Sequence, residues 1–103
     1  MLMQSKIEIE RKENTDLDET LSRGFRVLVH NDDITPYDFV IVVLVRFFKL
    51  PPHDAELVTW TAHNSGVAQV VVLPVNEAQR RVGQAHFAAS LEGYPLTFSI
   101  EPE

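Results

Sequence analysis

The chain contains no cysteine. Disulfides, thiolate metal ligands and a cysteine nucleophile are therefore excluded, and a reducing compartment fits. Glycine is scarce, at four residues, and these are too scattered to form a phosphate-cradling loop. There is no G-x-S-x-G nucleophile turn. Bases are outnumbered, 9 against 15 acids, for a formal net charge of −6. Nucleic acid and anionic membrane select the opposite balance, so neither is expected as a partner. The longest apolar run, residues 39–45, is well short of the ~18–20 residues of a membrane span. The opening MLMQSKIEIERKE is too charged for a signal peptide, which makes a cytoplasmic or organelle-interior location the expectation. A length of 103 residues gives room for one domain with one core.

What is present divides at about residue 24. Residues 1–23 carry Glu8, Glu10, Glu13, Asp16, Asp18 and Glu19 among four bases, with few apolar side chains to offset the entropy of ordering. This stretch reads as a flexible N-terminal extension, and residues 24–103 as the folded domain. Residues 25–30 (FRVLVH) are β-rich and run into the turn composition Asn31-Asp32-Asp33. Thr35-Pro36 reads as a cap and first helical residue. The β-branched run within residues 39–48 locally favours a strand. Its length to Pro51 and the cap favour a helix, apolar nearly all round and buried. Leu50-Pro51-Pro52 ends it. A second helix is expected over residues 53–64 with Gly66 as a left-handed cap, then a strand over residues 67–73. Ala78, Val82, Ala85 and Ala89 recur on one face of a third helix closed by Gly93. Residues 96–100 make a last strand. The order β-α-α-β-α-β implies a small α+β sandwich, a three-stranded antiparallel sheet packed with three helices.

No two of His30, His53, His63 and His86 have metal-ligand spacing, so no metal or cofactor is expected. The cluster after the first strand carries more. If Thr35 caps the helix, Asn31, Asp32 and Asp33 are a surplus of acceptors that suits an ammonium group. Thr59, Ala62 and His63 share one face of the second helix. The small pair favours close packing, with a cavity wall as the other reading. A hydrolase built on Asp33 and His63 is the enzymatic alternative, a remote one.

These residues resemble a family. V-L-V-H-N-D-D-x-T-P-x-x-F-V, then F-F, then A-x-x-x-x-x-x-x-H-x-x-G, then P-L near the end are similar to ClpS, the adaptor of the Clp protease. The likeness spans residues 25–101 without a gap. It implies a protein without catalytic activity that binds the free N-terminal Phe, Tyr, Trp or Leu of N-degron substrates. It implies delivery of these to the N-domain of a hexameric AAA+ unfoldase of the ClpA or ClpC type, with the adaptor a monomer. Carried onto this chain, the amine-binding residues are Asn31, Asp33 and His63, with Asp32 nearby, and Thr35 holds the ligand backbone. Ile34, Tyr37, Val40, Thr59, Ala62 and Leu96 line the side-chain pocket. Asn76, Glu77 and Arg81 face the unfoldase, although Asn76 lacks the acid usual in the family. The family usually has Met where Tyr37 and Thr59 stand, and Val at Ala62. These departures imply an altered residue preference, and Tyr37 is bulky enough to fill part of the cavity. The alternative is a ClpS-like domain that modulates the Clp ATPase without reading N-termini.

Overall fold

The computed structural model describes residues 23–103. The N-terminal extension, apart from Arg23, lies outside them. The elements are β1 (Gly24–His30), α1 (Tyr37–Phe48), α2 (Pro52–Ser65), β2 (Val67–Pro74), α3 (Val75–Leu91) and β3 (Thr97–Pro102). They follow the expected order, and the sheet is antiparallel with β1 central in the order β2-β1-β3.

Alternation along β1 turns Val27 and Val29 into the core. Val29 pairs across the sheet with Ala68 and Phe98, both buried. In β2 the register slips by one residue at Val70, a bulge that leaves both Val70 and its neighbour Val71 against the core cluster. Small residues set the approach of the helices. Ala78, Val82, Ala85 and Ala89 are the buried stripe of α3, as the periodicity requires, and Ala55, Thr59 and Ala62 are that of α2.

In two places the structure corrects the local reading. α1 is not buried all round: its core stripe is Val40, Val43, Leu44 and Phe48, while Val42 is 53% exposed. Burial against α2, α3 and β2 on one side suffices to hold a β-branched segment helical, because tertiary packing outweighs propensity. Thr35 is not the cap of α1 either. Pro36 occupies that position in extended conformation with no side-chain bond, and its carbonyl accepts from the Phe39 and Val40 amides.

Gly66 takes the left-handed conformation expected of it (φ 92°) and donates to the Ala62 carbonyl. Its own carbonyl accepts the Asn31 amide at 2.9 Å. The end of β1 is thus tied to the end of α2.

One histidine is structural. The Phe98 amide donates to His86 Nε2 at 2.9 Å, joining α3 to β3. That bond needs a neutral ring with its proton on Nδ1, and burial depresses the His86 pKa. As pH falls below about 6.5 the unfolded chain takes up this proton before the folded one does. The contribution of His86 is therefore complete above that pH and lost below it. Melting curves between pH 7.5 and 5 will show a decline that flattens in His86→Gln. Parallel declines for the two proteins would remove His86 as the cause.

Candidate functional site

The tie between Asn31 and Gly66 brings three chain segments to one place. They are the loop after β1, the start of α1 and the last turns of α2, and Leu96 comes in just before β3. Between them lies a cavity of about 210 Å³. Its lining includes Asn31, Asp32, Asp33, Thr35, Tyr37, Val40, Thr59, Ala62, His63 and Leu96, together with Val29 and His30.

The cavity has two chemically distinct ends. Val29, Val40, Thr59, Ala62 and Leu96 are all buried, and they make an apolar floor. Asn31, Asp33 and His63 are exposed and make a polar mouth. The one hydroxyl in the floor is satisfied, since Thr59 Oγ1 donates to the Ala55 carbonyl at 2.7 Å. Thr59 and Ala62 are therefore both the packing face of α2 and the wall of a cavity.

The three acceptors of the loop do not share one task. Asp32 Oδ1 accepts from the Ile34 amide at 2.9 Å and the Thr35 amide at 2.6 Å, and Oδ2 from the Thr35 hydroxyl at 2.8 Å. Asp32 is thus the residue that closes the turn, by the local side-chain to backbone bonding usual for aspartate. Partial burial raises its pKa, but the bonds from the Thr35 amide, the Ile34 amide and the Thr35 hydroxyl together outweigh that and hold it below the ordinary value. Among the described residues, neither the Asn31 nor the Asp33 side chain has a hydrogen-bonding partner. Asp32 is therefore engaged locally, and the acceptors left for other use are Asn31 and Asp33.

Tyr37 stands at the mouth, 39% exposed, with its ring edge-to-face with His63 at a centroid distance of 5.8 Å. It narrows the entrance without closing it. Ile34 departs from the expected lining. The turn closed by Asp32 leaves it 67% exposed and outside the cavity wall. Val29 and His30 belong to the wall but were not singled out by sequence. The signal was available, because strand alternation places Val29 inward at the end of β1. His30 is held by a 2.6 Å contact of Nε2 with Ser99 Oγ.

Asn76, Glu77 and Arg81 lie on the first turns of α3, away from the cavity lining. Glu77 is bridged by Arg80 at 2.7 Å and by Arg81 at 2.9 Å. Those two bonds hold its carboxyl down to a pKa of about 2. Asn76 is exposed, and the Arg81 side chain is 19% accessible. Among the described residues there is no group of three His, Cys, Asp or Glu able to hold a metal ion, and no helix is long and apolar enough to cross a membrane.

The sequence and the fold are similar to those of known proteins. The family model "ATP-dependent Clp protease adaptor protein ClpS" matches residues 21–99. An ATP-dependent Clp protease adapter protein ClpS of Nitratidesulfovibrio vulgaris is 38% identical over 79 residues, 77% of this chain and 79% of that protein. The ClpS 2 of Mesorhizobium japonicum is 40% identical over 79 residues, 77% of this chain and 78% of that protein. Among solved structures, Agrobacterium tumefaciens ClpS2 bound to L-phenylalaninamide superposes with a TM-score of 0.76 at 36% identity, covering 80% of this chain and 99% of that one.

Proposed function

The chain belongs to the ClpS family of ATP-dependent Clp protease adaptors, and from that premise we propose that it binds the free N-terminal residue of N-degron proteins and hands them to a Clp AAA+ unfoldase. One observation carries the reading: Asn31 and Asp33, whose side chains have no hydrogen-bonding partner among the described residues, and the ring of His63 surround the mouth of a cavity whose floor is apolar. An α-amino group is largely cationic at neutral pH, with a pKa of ~7.7–8.0, and has three donors. Asp33 offers a charged acceptor, Asn31 a carboxamide oxygen and His63 a ring nitrogen. An internal peptide nitrogen has one donor and no charge, so the site selects chain ends. Asp32 acts through the turn it closes, and Thr35 lies where it can meet the ligand backbone.

The cavity is large enough for an aromatic or leucine side chain. An apolar cavity of about 150 Å³ admits benzene, and this one is about 210 Å³. Burying ~150–250 Å² of an aromatic side chain at ~25 cal/mol per Å² gives roughly 4–6 kcal/mol before the costs of association. Two or three charge-assisted hydrogen bonds at the amine add about 1.5–3 kcal/mol each, and what remains after those costs is micromolar affinity as an order of magnitude, about 8 kcal/mol. The open cavity speaks against an adaptor that modulates the ATPase without reading N-termini. The relatives are named as adapter proteins, and the same role, with ATP hydrolysis left to the unfoldase, is assigned here. It acts as a cytoplasmic monomer.

The unfoldase, of the ClpA or ClpC type, meets the start of α3 at Asn76, Glu77 and Arg81. Reversing a charge at the rim of an interface chiefly slows association. Arg81→Glu is therefore expected to weaken docking of the peptide-loaded adaptor on the unfoldase about tenfold, with peptide affinity unchanged. Anisotropy of a labelled Phe-initiated peptide, titrated first with adaptor and then with unfoldase, separates the two steps. Equal docking by Arg81→Glu would move the interface elsewhere. A loaded adaptor that never joined an unfoldase would remove the delivery role.

A further inference from the structure

A second hollow, of about 390 Å³, adjoins the first and shares Tyr37 as a wall. Its other sides are His53, Glu56, Leu57 and Trp60, all on α2. Their spacings of three and four put them on one face of that helix. Leu57 is 53% and Trp60 59% exposed. A large apolar pair held open to water beside a ligand cavity marks a binding surface more than chance exposure does. Trp60 is also the chain's single tryptophan.

The first cavity has room for one side chain, so the peptide that follows must leave across its mouth. Consecutive Cα atoms are about 3.8 Å apart, which keeps the second and third residues beside Tyr37. We infer that the Tyr37–Leu57–Trp60 groove takes a bulky apolar side chain from the second or third residue of the same bound chain. This rests on the N-terminal reading of the first cavity and extends it: the adaptor discriminates beyond the first residue. Glu56 in the groove wall disfavours an acidic side chain there.

The test uses labelled peptides beginning Phe-Ser-Ser, Phe-Leu-Ser and Phe-Ser-Leu, titrated against the wild-type chain and against Leu57→Ser and Trp60→Ala. In the wild type, one leucine peptide should bind about three- to tenfold more tightly than Phe-Ser-Ser, the gain expected of a half-buried leucine. Its binding should change Trp60 emission. Both variants should lose that gain while holding Phe-Ser-Ser as the wild type does. The retained Phe-Ser-Ser affinity also shows that the variants fold. Equal affinities for the three peptides, or a gain that survives both substitutions, would overturn the inference. So would a Trp60 emission change caused by the unfoldase alone, or by self-association at high concentration, since the groove would then have another occupant. If Phe-Ser-Ser itself does not bind, the N-terminal reading fails before the groove is tested.

Discussion

Asp33→Ala will weaken binding of a Phe-initiated peptide by about 10- to 100-fold and leave the unfolding temperature where it was. The magnitude is that of one hydrogen bond to a charged group, about 1.5–3 kcal/mol. The specificity of the effect comes from the loop. The Asp33 side chain is exposed and has no hydrogen-bonding partner among the described residues, so the folded domain loses no bond when it is removed. Surface changes of that kind stay within about 0.5 kcal/mol of neutral. Its neighbour behaves in the opposite way. Asp32→Ala removes the acceptors of the Ile34 amide, the Thr35 amide and the Thr35 hydroxyl. It should lower stability by about 1–2 kcal/mol and reduce binding only through the disordered turn. Isothermal titration and thermal melts on the two variants distinguish a ligand contact from a positioning residue. A melt displaced by Asp33→Ala, or a peptide bound as well as before, would contradict the assignment.

The two aspartates also show where sequence reading stops. Asn-Asp-Asp followed by Thr-Pro announces a strand end, a turn and a helix, and the structure has all three. Which carboxylate closes the turn depends on backbone angles that the letters do not carry. Thr35 looked sufficient as a cap, which made Asp32 appear spare. In the fold, Pro36 takes the cap position and Asp32 binds Thr35 instead.

The fold was more legible than the site. Periodicity alone locates the buried face of α3 at Ala78, Val82, Ala85 and Ala89. Gly66 marks the end of α2 because its positive φ is one that other residues rarely adopt. α1 was harder, since Val40, Ile41, Val42, Val43 and Val45 suit a strand as well as a helix. The packing that decides it comes from residues distant in sequence. Thr59 and Ala62 posed a similar problem. Small residues on a helix face permit close packing or leave space, and here they do both. Ile34 failed as a lining residue because the turn of Asp32 carries it outward. The meeting of Asn31 with α2 is a long-range event fixed by the bond from its amide to the Gly66 carbonyl. Resemblance to a family, not local pattern, put Asn31, Asp33 and His63 together in advance.

The second large effect concerns the ligand rather than the protein. Acetylating the peptide's α-amine removes its charge and two of its three donors, and it adds bulk at the polar mouth. Two charge-assisted hydrogen bonds, at about 1.5–3 kcal/mol each, are lost. Even with incomplete additivity, that is at least a hundredfold in affinity. The apolar contribution of the side chain is untouched, so the loss isolates recognition of the chain end from burial in the cavity.

The most direct measurement is therefore a calorimetric titration of one Phe-initiated peptide with its N-terminus free and N-acetylated, at neutral pH. Micromolar binding of the free form, and binding at least a hundredfold weaker for the acetylated form, is the expected result. Equal affinity for both forms would contradict a site that reads a polypeptide's first residue.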